Sequence, residues 1–194
     1  MTNQPSTIAL LGTSADPPTI GHQVLLKELL HLFPFVATWA SDNPMKQHDA
    51  SINQRCLLLK ILVETIDNPR LNLVQELSSP WAITTIERAK ALWPESELVF
   101  VIGSDLAHQI PRWKQFKALL NNSRLAIAPR RGWPILQADL ETLTNQGARI
   151  EVLPVQIPKT ASSSVRLHPD STQIPSALLP VLQQYNLYGI TSGL

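Results

Sequence analysis

The short apolar runs of this chain lack the in–out alternation of a strand that faces water on one side, and this absence limits the fold. They are Thr7 to Leu11 (TIALL), Phe35 to Ala40 (FVATWA), Leu71 to Val74, Leu98 to Ile102 (LVFVI), Leu125 to Ala128 and Arg149 to Leu153. Runs this short and this apolar fit parallel strands covered on both faces. Between them apolar residues recur at helical spacing. Gly21 to Phe33 places Val24, Leu25, Leu29 and Leu32 on one side before Pro34. Ser51 and Gln54 have the S-x-x-Q spacing of a capping box and open a helix carrying Ile52, Cys56, Leu59, Leu62, Val63 and Ile66. Further helices are predicted over Ile83 to Leu92, Trp113 to Leu120 and Ile135 to Gln146, the last closed by Gly147. Two short ones are predicted near Ser164 and over Ala177 to Tyr185. Strand and helix alternate throughout. The expectation is a Rossmann-like, doubly wound α/β fold with a mostly parallel sheet, one domain over residues 1–194 with short helices from about 163 onward. Such sheets bind ligands at the carboxyl ends of their strands, where the strand order reverses.

Composition narrows the function classes. Hydrophobic residues make 44% of the 194, enough for a core and too many for a disordered chain. Lys+Arg number 16 against 15 Asp+Glu. That balance lacks the basic excess of a nucleic-acid or membrane-surface binder. Cys56 is the only cysteine, which excludes an internal disulfide and a Cys-rich zinc site. It sits on the apolar stripe of its helix and reads as a buried, inert thiol. His31, His48, His108 and His168 are scattered without metal-ligand spacing. Leu29 to Ser41 is too short for a membrane span and contains Pro34, and the N-terminal residues lack a basic stretch before an apolar one. A cytoplasmic protein is expected, with no partner that is nucleic acid or membrane. An oligomer remains open.

Gly12-Thr13-Ser14-Ala15-Asp16-Pro17-Pro18-Thr19-Ile20-Gly21-His22 is the most informative stretch. Gly12 and its small neighbours let a backbone approach a ligand closely. Gly21-His22 opens a helix whose free N–H groups and dipole favour an anion, and the His22 ring adds a donor. The segment matches neither G-x-x-x-x-G-K-[ST] nor G-x-G-x-x-G. It reads as a phosphate-binding turn or, more plainly, as a strand–helix turn with a surface histidine.

Thr19-Ile20-Gly21-His22 resembles the T/H-x-G-H signature of the nucleotidyltransferase superfamily, and Gly12 to Pro18 resembles its G-[GT]-[ST]-F-D-P-P. Phe100-Val101-Ile102-Gly103-Ser104-Asp105, with Trp113 eight residues after the aspartate, resembles the F-I-I-G-x-D…W block of bacterial nicotinate-nucleotide adenylyltransferases. Asn43-Pro44-Met45-Lys46 is similar to their P-x-K loop, and Gln54-Arg55 stands where they carry a helix-borne arginine. Glu76 with Ala82 to Thr85 resembles E…Y-T-x-D-T, Pro129 to Gly132 the R-P-G turn, and Thr160 to Arg166 the late I-S-S-T-x-I-R motif. The matches run in family order from Gly12 to Arg166. Departures are Thr19 for a usual histidine, Ala15 for Phe, Trp81 for Tyr, Ala82 for Thr, Thr84 for Asp and Ala161 for Ser.

The resemblance implies an adenylyltransferase that joins ATP to nicotinate mononucleotide, giving nicotinate adenine dinucleotide and pyrophosphate, with Mg2+ carried on the ATP. It implies His22, Lys46 and Arg166 as catalytic residues. ATP would be bound by Gly12, Thr13, Ser14, Thr19, Gly21, His22, Gly103, Asp105, Arg130, Ser163 and Arg166. The pyridine nucleotide would be bound by Asp16, Lys46, Thr84, Thr85 and Trp113. Within that reading Ser163 caps the helix that carries Arg166, Asp105 accepts from a ribose hydroxyl, Trp113 stacks on the pyridine and Arg55 is either ligand or scaffold. Alternatives are the same reaction on nicotinamide mononucleotide or phosphopantetheine, or a non-catalytic nucleotide-binding module of this fold.

Overall fold

The computed structural model describes residues 4–43 and 46–191. Six strands form one parallel sheet: β1 (Thr7–Thr13), β2 (Phe35–Ala40), β3 (Leu71–Leu73), β4 (Glu97–Gly103), β5 (Arg124–Ala128) and β6 (Ile150–Val152). Their order is β3-β2-β1-β4-β5-β6, so the chain reverses its direction of winding between β1 and β4. All five ladders are parallel. The doubly wound α/β fold is thus the one the apolar runs predict.

Among the described residues seven α-helices connect and cover the sheet: α1 (Ile20–Leu32), α2 (Ile52–Ile66), α3 (Ala82–Leu92), α4 (Phe116–Asn122), α5 (Gln137–Asn145), α6 (Ser162–Leu167) and α7 (Leu179–Gln184). Alternate strand residues serve opposite layers. Ala9, Leu11, Val99, Val101 and Ala126 pack with α1, α2 and α7. Ile8, Leu10, Phe100, Ile102, Leu125 and Ile127 pack with α3, α4 and α5. The inner strands β1, β2, β4 and β5 are therefore apolar on both faces, while the edge strands β3 and β6 carry Asn72 and Glu151.

Some boundaries differ from expectation. β1 continues through Gly12 to Thr13 and β4 includes Gly103, because Gly12 pairs with Trp39 and Gly103 with Ala128. The helix predicted from Trp113 begins only at Phe116. Residues Ser104–Arg112 form a 3-10 stretch, Trp113 is extended, and Gln115 takes a left-handed φ of 52° that resets the chain direction. The capping box at α2 forms as its spacing predicts, Gln54 N–H donating to Ser51 Oγ and Ser51 N–H to Gln54 Oε1. No helix of the described residues is long and apolar enough to cross a membrane.

Candidate active site

The loops at the carboxyl ends of β1, β4 and β5 meet at the reversal point, joined by the segment leading into α6. Gly12 gives its space to the protein rather than to a ligand. A Cβ there would stand 2.7 Å from ring carbons of Trp39, a buried indole on β2. Thr13 Oγ1 accepts the N–H of Ala15, which is buried with a left-handed φ of 49°. The carbonyl of Ser14 accepts from Arg55 Nη1 at 2.8 Å, while Ser14 Oγ is sealed from solvent. Arg55 is scaffold. It is 2% exposed, and its guanidinium also holds the carbonyls of Ser41 and Ala50.

Asp16 differs from its expected role as a pyridine-nucleotide contact. It is wholly buried, and its carboxylate accepts from Asp49 N–H (2.9 Å), Ala50 N–H (3.1 Å) and the Tyr188 hydroxyl (2.7 Å). A carboxylate so occupied ties loops together. Burial and the neighbouring Asp16 push the Tyr188 phenol well above the usual tyrosine range.

The start of α1 also departs from expectation. Its amides were to be free for an anion, but the Gly21 N–H donates to Thr160 Oγ1 at 3.0 Å. The amides of His22 and Gln23 donate to the Thr19 carbonyl. Thr19 is fully buried. Its N–H donates to His22 Nδ1 at 3.0 Å, with His22 in the place that Glu or Gln takes in a capping box. An Nδ1 that accepts carries no proton, so the neutral ring bears its proton on Nε2. Burial, then Arg130, then Lys46 push the His22 pKa down to about 4, which keeps the ring neutral near pH 7. What the turn offers an anion is the dipole of α1 and one oriented ring N–H.

Two cations, Arg130 and Lys46, act on that ring. Arg130 Nη1 lies 3.2 Å from Asp105 Oδ2, and its Nη2 donates to the Thr160 carbonyl at 3.3 Å. The turn carrying Arg130 is pinned by Ser104 Oγ, which accepts the Arg130 N–H and donates to the Trp133 carbonyl. Gly103 is required for close approach, since a Cβ there would stand 3.2 Å from Arg130 Cδ and collide with the Asp105 carboxylate. Arg166 Nη1 donates to the Asp16 carbonyl at 2.7 Å, and its Nε lies 3.5 Å from Asp49 Oδ1. Lys46 is exposed as a residue, yet neighbouring protein desolvates its ammonium and lowers its pKa. Asp105 opposes that shift, while Arg130 and Arg166 add to it. Pro44 and Met45 of that loop lie outside the described residues. A cavity of about 230 Å³ opens between Arg130–Trp133 and Lys159–Ala161.

Two serine and threonine expectations shift. Ser163 does not cap α6. It is exposed at the second helical position, the N-cap being Ala161, while Ser162 Oγ donates to the Pro17 carbonyl at 2.8 Å. Thr85 is 2% exposed and its hydroxyl donates to the Leu77 carbonyl at 2.9 Å, so it anchors α3 rather than a substrate. Thr84 is half-buried in the first turn of α3. Trp113 is half-buried, edge-on to Phe100 with ring centroids 6.1 Å apart. Beyond it Lys114 Nζ lies 4.7 Å over the exposed Trp81 ring. Among the described residues, no three His, Cys, Asp or Glu side chains gather to hold a metal.

Sequence reasoning missed Trp39, Tyr188 and the side chain of Thr160. Each acts across a long separation, and only the Thr160 segment lay in a motif at all.

Comparison with known proteins shows the family. Residues 10–171 match the cytidylyltransferase-like family. A relative from Synechocystis sp., a probable nicotinate-nucleotide adenylyltransferase, is 37% identical over 93% of this chain and 98% of its own. The nicotinate-nucleotide adenylyltransferase of Bacillus subtilis is 28% identical over 69% of this chain and 77% of its own. The fold is shared with a Plasmodium falciparum nicotinic acid mononucleotide adenylyltransferase solved with NaAD. There the TM-score is 0.78 at 19% identity, covering 96% of this chain and 98% of that one. The family match over most of the chain, with near full-length likeness to the Synechocystis relative, places this chain in the cytidylyltransferase-like family, among the nicotinate-nucleotide adenylyltransferases.

Proposed function

We propose that this chain joins ATP and nicotinate mononucleotide into nicotinate adenine dinucleotide, releasing pyrophosphate, as a step of NAD biosynthesis. The observation that carries the reading is the neutral His22 ring, its Nε2–H fixed by Thr19, near Arg130 and Lys46 at the sheet's reversal point, with Arg166 near Lys46 in turn. The acceptor's 5′-phosphate oxygen forms a bond to the α-phosphorus of ATP, and the bond from that phosphorus to the bridging oxygen of pyrophosphate breaks. The nucleophile is already an anion, so no general base is required. In-line placement and charge neutralisation supply the rate.

In this reading His22 donates to a phosphoryl oxygen without giving up its proton, since a neutral imidazole is a poor acid. Lys46 meets phosphate as a point charge and Arg166 as a fork. Asp105, already paired with Arg130, offers carboxylate to ribose. The adenosine end enters the cavity beside Arg130, and the pyridine lies toward Trp113 and the start of α3. Mg2+ arrives with the ATP phosphates, retaining waters, which suits a site without an acidic cluster among the described residues. Its partners are these small molecules, in the cytoplasm, with no nucleic acid or membrane. Pyrophosphate release with ATP and Mg2+ tests the reading. Nicotinate mononucleotide should far outrun nicotinamide mononucleotide and phosphopantetheine. Silence with all three would leave a binding module.

A further inference from the structure

We infer that Thr160 is a positioning residue for His22, acting through Thr19 along a one-way chain of hydrogen bonds. The proton directions follow by elimination. Nδ1 of His22 accepts the Thr19 N–H at 3.0 Å and so carries no proton. Thr19 Oγ1 stands 2.9 Å from the same nitrogen, and two acceptors need a proton between them, so the hydroxyl donates. The Thr19 oxygen is then the acceptor for Thr160 Oγ1, 3.3 Å away. Thr160 Oγ1 in turn accepts the Gly21 N–H at 3.0 Å. Each link donates toward Nδ1, and the ring's remaining proton is on Nε2.

Bonds aligned in this way polarise one another. Thr19 is fully buried, so no solvent replaces a missing link. Two donors onto Nδ1 favour the neutral ring, and the charged groups that face it, Arg130 and Lys46, act in the same sense. Gly21 makes the arrangement possible: a Cβ there would lie 2.5 Å from Thr160 Oγ1. The Thr160 carbonyl also accepts from Arg130, so one residue supports both the imidazole and a guanidinium. Thr19 stands where a histidine is usual in the family pattern, and here its hydroxyl touches that of Thr160.

The test uses the full chain with Thr160→Val, Thr160→Ser, Thr19→Val and the double valine variant. Steady-state kinetics are combined with 15N NMR of the His22 ring. Thr160→Val should lower kcat about ten-fold, the scale seen when an orienting partner is lost. KM for ATP should stay within about two-fold. The His22 pKa should rise in this variant, and Thr160→Ser should restore both values. The double variant should cost no more than Thr19→Val alone, because the two residues act through one path. Wild-type kcat in Thr160→Val, an unmoved His22 titration, or fully multiplicative losses in the double variant would each overturn the inference. If Thr160→Val does not fold, Thr19→Val breaks the next link, and an unmoved His22 titration there is equally decisive. The kinetic arm rests on the adenylyltransferase reading, whereas the NMR arm does not. An inactive wild type therefore sinks the proposed reaction and leaves the His22 titration to decide this point.

Discussion

The main-chain N–H of Thr19 lies 3.0 Å from Nδ1 of His22 and settles which ring nitrogen holds the proton. An imidazole fixed this way gives one preorganised donor to a phosphoryl oxygen. His22→Ala should therefore lower kcat by about two orders of magnitude, as loss of one oxyanion donor does. KM for either substrate should move much less. Steady-state kinetics with both substrates varied check this, and activity within a few-fold of wild type would remove His22 from the mechanism.

The same ring makes stability depend on pH. With a folded pKa of about 4 against 6.5, the unfolded chain binds a proton at His22 between those values that the folded chain does not. The unfolded state is then favoured as pH falls through this window, so His22 destabilises the fold on acidification. The effect is roughly 2 kcal/mol by pH 4.5. Urea unfolding at pH 7 and pH 4.5 should show a steeper loss for wild type than for His22→Asn. Parallel losses would contradict a buried neutral ring.

Gly12→Ala would drive a methyl group into the Trp39 indole, 2.7 Å from its ring carbons. Overpacking of a rigid aromatic inside a sheet costs about 1–3 kcal/mol. Trp39→Leu should relieve the strain, leaving the double variant more stable than Gly12→Ala alone. Thermal unfolding of the three variants reads the effect. Strict additivity would mean that the glycine serves the ligand side after all.

Trp113→Ala should raise KM for the pyridine mononucleotide well above its effect on KM for ATP. The ring already packs edge-on against Phe100, so its loss also loosens the sheet end. Trp113→Phe separates the two roles by keeping an aromatic face. Equal shifts in both KM values for Trp113→Ala would mark it as packing alone.

The sheet was legible in the sequence because its inner strands are apolar on both faces and its helices carry a 3.6-residue rhythm. The α2 cap was equally plain, since Ser51 and Gln54 satisfy each other locally. The site was legible as a set of segments but less so as a set of atoms. Gly12, Gly21 and Asp16 stand in a ligand motif, yet their contacts are Trp39, Thr160 and Tyr188, residues far along the chain. Spacing along the sequence reports no such partner. Thr85 and Ser163 were misplaced for a related reason: a hydroxyl near a helix start serves whichever carbonyl, amide or solvent the tertiary fold sets beside it. Trp113 fell outside its predicted helix because Gln115 adopts a left-handed φ that its residue type does not announce.

The bond from Tyr188 to Asp16 spans 172 residues. Arg166, whose Nη1 donates to the Asp16 carbonyl, reaches back 150 residues to the same loop. Such contacts close long stretches of chain, and the entropy of closure grows only slowly with length. The loop after β1 is therefore held by partners whose distance along the chain adds little to the cost of holding it.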